Sequence, residues 1–109
     1  MKELLSDVSF FEGDVILNEK IGVEITVRGL VQGVGFRYFI HRRCNELGLA
    51  GFVKNQTDGS VFIYAEGSQD SINQIIELSS QGPSRSDVRE QKLKKVSYSG
   101  IYTEFIISR

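Results

Sequence analysis

Between residues 22 and 47 the spacing of apolar side chains changes from every second residue to every third or fourth. GVEITVRG, residues 22–29, alternates Val23, Ile25 and Val27 against Glu24, Thr26 and Arg28, the period of a strand with one buried face. FRYFIHRRCNELG, residues 36–48, places Phe36, Phe39, Ile40, Cys44 and Leu47 at helical spacing, and Gly48 stops the run. A strand must therefore pass into a helix through the glycine-rich stretch between them. AGFVKNQTDGSVFIYAEG, residues 50–67, reads as strand, turn, strand, with Asp58-Gly59 as the hairpin signal. In SQDSINQIIELSSQGP, residues 68–83, Ser68 is an N-cap, Ile72, Ile75, Ile76 and Ser79 form an inner stripe, and Gly82-Pro83 ends the helix. Val88–Tyr98 and Glu104–Ile107 are expected to be strands, the last a short addition. The order predicts an α+β fold, a ferredoxin-like βαββαβ sandwich with an antiparallel sheet and two helices on one face. At 109 residues the chain suits one domain, here residues 21–109, preceded by an N-terminal extension over residues 1–20. Such an architecture hosts many chemistries, so function has to come from particular residues.

GLVQGVGFR, residues 29–37, holds three glycines and no acid, and ends in Arg37. The first N–H groups of a helix lack internal partners and carry the positive end of its dipole. Glycines let the preceding loop curl so that further N–H groups point inward, as an anion nest. A guanidinium in the first turn can meet two oxygens at once. The stretch is not a Walker loop, because no GxxxxGK[ST] is present, nor a dinucleotide fingerprint, because position 38 is Tyr. On this motif alone, an anion cradle and a tight turn whose glycines merely relieve strain both stay open. Arg37 favours the cradle, since a cation at a helix N-terminus is poorly placed unless an anion binds there.

A second stretch, Gly51-Phe52-Val53-Lys54-Asn55-Gln56-Thr57-Asp58-Gly59, follows the first helix. Together the two stretches resemble the signatures of the acylphosphatase family, a G-x-VQGVGFR-like loop and a later G-aromatic-x-basic-N-x-x-D-G segment. The resemblance spans about residues 21–108. It departs mildly at Phe52, where Trp is common, at Lys54, where Arg is common, and in GPSRSDV, a loose version of the family's G-P-x-x-x-x-V. The resemblance implies hydrolysis of a carboxyl-phosphate bond to a carboxylate and inorganic phosphate, with no metal and no cofactor. It implies that Arg37 and the backbone N–H groups of Gln32, Gly33, Val34, Gly35, Phe36 and Arg37 bind phosphate, and that Asn55 orients the attacking water. The chemistry is compatible with so small a set. A carboxylate leaves without a general acid, preorganised donors stabilise the charge on the phosphoryl oxygens, and a side-chain amide can both donate to and accept from water.

The remaining features limit other readings. Net charge is -1, which gives no bulk attraction to nucleic acid, although residues 1–20 hold two basic and five acidic residues and the rest is slightly basic. Phe62 and Tyr64 are expected on the open sheet face, where aromatics could stack RNA bases. Glu66 and Glu24 on that face argue against it, and a cover from the N-terminal segment (VSFF and VIL) is the preferred account. Arg28 and Lys54 are candidates for raising the local positive potential, or else are solvated strand residues. His41, the only histidine, lies about 120° from the centre of the apolar stripe and reads as a surface residue. Cys44, the only cysteine, reads as a core residue and, allowing no internal disulfide, favours a cytoplasmic location. No apolar run is long enough to span a bilayer and no secretory signal is recognised at the N-terminus. A monomer acting on a small acyl phosphate, without nucleic-acid or membrane partners, is the expectation.

Overall fold

The computed structural model describes residues 19–109. Five strands and two helices follow in the order β1 (Lys20–Leu30), α1 (Phe36–Glu46), β2 (Ala50–Asn55), β3 (Val61–Ser68), α2 (Gln69–Gln81), β4 (Asp87–Val96) and β5 (Phe105–Ile107). The sheet order is β4-β1-β3-β2-β5. β1 pairs antiparallel with β3 and β4, and β2 antiparallel with β3. β5 adds to the free edge of β2 in parallel register, Gly51 opposite Phe105, so the completed sheet is mixed.

Two periodicities make the core. Val23, Ile25 and Val27 of β1, Val53 of β2, and Val61, Ile63 and Ala65 of β3 are buried on one face of the sheet. Phe36, Ile40 and Cys44 of α1 and Ile72, Ile75 and Ser79 of α2 cover that face. Ser68 caps α2 by accepting from the Ser71 amide, and Gly82, at φ +71°, closes it. Cys44 is wholly buried, and burial pushes its thiol well above the usual range, which makes it a packing residue. No helix among the described residues is long and apolar enough to cross a membrane.

On the other face Phe52, Phe62 and Tyr64 lie side by side, with ring centroids 5.9 and 6.0 Å from Phe52. Tyr102, from the segment between β4 and β5, packs on Tyr64 at 5.2 Å and on Phe52 at 6.1 Å. The cover expected from VSFF and VIL falls outside the described residues; within them the cover is Tyr102. Glu66 is buried beside it. Its carboxylate accepts from the Tyr64 hydroxyl (2.6 Å), the Ser99 amide and hydroxyl (3.0 and 2.8 Å) and the Gly100 amide (3.0 Å). Burial alone would raise this carboxyl, but those bonds outweigh it and hold it below its ordinary value. Burial and the bond to Glu66 push Tyr64 up to about 12. Glu66, placed on this face by the strand period, is there a buried tie for the segment that carries Tyr102.

Candidate active site

The loop between β1 and α1 enters the helix through two glycines with positive φ, Gly33 at +76° and Gly35 at +80°. A Cβ at either would meet no atom within 4 Å, so the requirement at both is conformational rather than spatial. Gly35 is the N-cap of α1 and has no side chain to offer; no other side chain caps the helix, and no acid stands in its first turn. The first backbone bond of the helix runs from the Phe39 amide to the Gly35 carbonyl at 3.0 Å. The amides of Phe36, Arg37 and Tyr38 precede it and face the open end of the helix. Arg37, at the second helical position, is partly buried and makes no ion pair among the described residues.

Asn55 comes to the same place from the sheet. It is the last residue of β2 and shares the helix-facing side with Val53 and Gly51, two and four residues back. Pairing with Val61 fixes its backbone. Its Oδ1 is buried and has no hydrogen-bond partner among the described residues. Val31, Gly33, Gly35, Phe36, Arg37, Tyr38 and Asn55 together line a pocket of about 150 Å³. Of the sequence-derived site residues, Gly33, Gly35, Phe36, Arg37 and Asn55 meet there. Gln32 and Val34 do not line it; Val34 packs against the core.

Gln32 has a role that its motif does not announce. Its side-chain amide donates to the backbone carbonyls of Gln56 (2.8 Å) and Ser60 (2.9 Å). The glycine loop is thereby bonded to the β2–β3 turn, one residue beyond Asn55. The turn is itself braced: the Gln56 amide donates to the Ser60 carbonyl and the Gly59 amide to the Gln56 carbonyl, while Asp58 accepts from the Ser60 amide and hydroxyl. Hydrogen bonds from the Ser60 hydroxyl, from Arg28 and from the Ser60 amide hold the Asp58 carboxyl well below the usual range. Arg28 is occupied by this turn, with Asp58 at 2.8 Å and Glu90 at 3.4 Å. It is therefore not a free cation for steering substrate but part of the scaffold under Asn55. The Lys54 ammonium lies 6.0 Å from the Phe52 ring centroid, over the opposite face of the sheet.

His41 stays at the surface, as its helical angle suggests, but is not wholly free there. It is partly buried, its ring centroid 6.4 Å from that of Phe105 and its Nε2 3.2 Å from Asn45 Nδ2. The edge strand β5, whose parallel pairing with β2 no local pattern reveals, brings Phe105 against it. Among the described residues no group of three or more His, Cys, Asp and Glu stands close enough to hold a metal ion.

Comparison with known proteins identifies the family. The acylphosphatase family model matches residues 23–107. Over 80 residues the chain is 45% identical to an acylphosphatase of Mannheimia succiniciproducens, covering 73% of this chain and 87% of that protein. Over 75 residues it is 47% identical to an acylphosphatase of Archaeoglobus fulgidus, covering 69% and 84%. The crystal structure of acylphosphatase from Bacillus subtilis is similar with a TM-score of 0.79 and 35% identity, covering 82% of this chain and 99% of that one.

Proposed function

The chain belongs to the acylphosphatase family, and from that premise we propose how its own residues hydrolyse an acyl phosphate to a carboxylate and inorganic phosphate. The phosphoryl group sits at the N-terminus of α1. Amides of the loop and first turn, from Gln32 to Arg37, donate to its oxygens, and the Arg37 guanidinium takes two of them. Asn55 holds the attacking water. Its Oδ1 accepts one proton of that water and its Nδ2 donates to the oxygen, which aims a lone pair at phosphorus. A bond forms from the water oxygen to phosphorus, and the bond from phosphorus to the acyl oxygen breaks. The carboxylate leaves with the electron pair and needs no proton. The water proton passes to a phosphoryl oxygen and then to solvent. Negative charge on the transferring group grows against donors already in place, where they contribute most.

The observation that carries this reading is the Asn55 carbonyl oxygen, buried and without a partner among the described residues, in the same small pocket as Arg37 and the uncapped start of α1. A buried acceptor left unpaired costs stability, of the order of 1–3 kcal/mol, and a bound water would satisfy it. Hydrolysis in ¹⁸O-labelled water tests the direction of attack. Label is expected in the phosphate product and not in the carboxylate; label in the carboxylate would mean attack at the acyl carbon and would remove the role given to Asn55.

Residues 21–109 form the catalytic unit in this reading, with residues 1–20 as an extension to it. A chain whose one cysteine is buried in the core suits a reducing, cytoplasmic setting. The aromatic residues of the open sheet face are engaged by Tyr102, which takes away from an RNA-stacking role, and the protein works as a monomer on small molecules.

A further inference from the structure

A second, larger groove of about 410 Å³ adjoins the phosphate pocket. Gly35 and Tyr38 line both, so the two are continuous around the first turn of α1. Its other walls are Phe39, His41, Arg42 and Pro83, the last from the turn that follows α2. Tyr38 is the second most exposed of the large apolar or aromatic residues, at 68%, and the fold gives it no packing role. Tyr38 and Arg42 stand one turn apart on one helix face.

The three basic residues of the HRRC stretch differ in what occupies them. Arg43 is bonded to Glu46 at 3.0 Å and lies over the Phe39 ring at 5.5 Å. His41 rests on Phe105. Arg42 is exposed and makes no ion pair or hydrogen bond among the described residues. Among the described residues no acid lines the groove, and Glu46, the carboxylate one turn beyond Arg42, is engaged by Arg43. The groove therefore has an aromatic floor near the phosphate pocket and a cation at its far end. Tyr38, which lines the phosphate pocket as well as the groove, and Arg42 are four positions apart, about 6 Å of rise on one helix face, a span suited to a short acyl chain such as that of a four-carbon diacid.

We propose that this groove is the acyl subsite, and that Arg42 selects acyl phosphates carrying a second carboxylate at the far end of a short apolar stem. The proposal rests on the phosphate site described above. The stem lies along Tyr38 and Phe39, the distal carboxylate meets the Arg42 guanidinium, and the reacting phosphoryl group stays at Arg37. An uncharged acyl group of the same length fills the groove and leaves Arg42 to solvent.

The test compares two substrates of equal chain length, succinyl phosphate and butyryl phosphate, in the parent, Arg42→Gln and Arg42→Glu. The readout is the ratio of their kcat/KM values, in which any general effect of the substitution cancels. The ratio is expected to favour succinyl phosphate in the parent, to fall about fivefold in Arg42→Gln at low salt, and to fall further in Arg42→Glu, with the difference shrinking as salt is added. A ratio unchanged in both variants overturns the role of Arg42 while leaving the hydrolytic site intact. A folded parent that hydrolyses neither substrate overturns the hydrolytic site, and the subsite with it.

Discussion

Arg37 occupies the second position of α1, where a helix dipole disfavours a cation and a bound anion reverses the preference. It is held there by sequence position alone, with no acid in the first turn to neutralise it. Arg37→Ala is expected to lower kcat/KM for an acyl phosphate by about 10² to 10³-fold. Arg37→Lys keeps the charge but not the fork, and is expected to recover only part of the loss. Far-ultraviolet circular dichroism of both variants should match the parent, because Arg37 bonds nothing else in the described protein. If Asn55 orients the water as proposed, Asn55→Ala is expected to reduce kcat more than it raises KM; equal activity would remove Asn55 from the reaction. Gly35 is a different kind of site residue. Its φ of +80° suits glycine, so Gly35→Ala is expected to cost about 1–2 kcal/mol of stability even though the added methyl meets no neighbour, a change that urea unfolding would detect.

At the scale of elements, the proposed mechanism requires the start of α1 to be held against the end of β2. Gln32 does this through two bonds to carbonyls 24 and 28 residues away. Gln32→Ala removes both donors and is expected to lower kcat by about tenfold with a smaller change in KM, and to cost about 1–2 kcal/mol. Gln32→Glu sets a carboxylate against the same two carbonyls and is expected to do worse than Ala in both respects. Activity ranked Gln above Ala above Glu, measured beside urea unfolding, checks the assignment. How much of this was legible beforehand follows from range. Strand β1, both helices and the Asp58-Gly59 hairpin follow from local period and turn chemistry, and the structure places them within a residue or two of expectation. That Arg37 and Asn55 meet in one pocket could be anticipated because each stands in a local motif. The bonds of Gln32, the pairing of Arg28 with Asp58, and Tyr102 over the aromatic face were not. Each depends on a register between segments distant in sequence, which no window of neighbouring residues encodes. Strand β5 was expected over Glu104–Ile107 and is found at Phe105–Ile107; what belongs with the unread features is its parallel pairing with β2, which brings Phe105 against His41.

At the scale of the molecule, the helical face of the sheet is a conventional apolar core, and the opposite face is closed by a charged tie. Glu66 is buried and holds the segment around Ser99 and Gly100. Its folded-state pKa lies below the ordinary glutamate value. It therefore contributes stability above its unfolded pKa, and that contribution is lost as pH falls through the folded value. Asp58 shifts in the same direction. Thermal unfolding between about pH 7 and about pH 3 is expected to show a falling midpoint. Glu66→Gln is expected to be about 2 kcal/mol less stable than the parent near neutrality, with the gap narrowing in acid; a constant gap would mean that the carboxylate charge is not what ties the segment. The central claim, that Arg37, the loop amides and Asn55 together hydrolyse acyl phosphates, is tested most directly by following the ultraviolet absorbance of benzoyl phosphate with chelator present, in the parent, Arg37→Ala and Asn55→Ala, each shown to be folded. The account predicts fast loss of absorbance in the parent and a drop of about 10²-fold or more in each variant. A folded parent without turnover, or variants that keep parental rates, would contradict it.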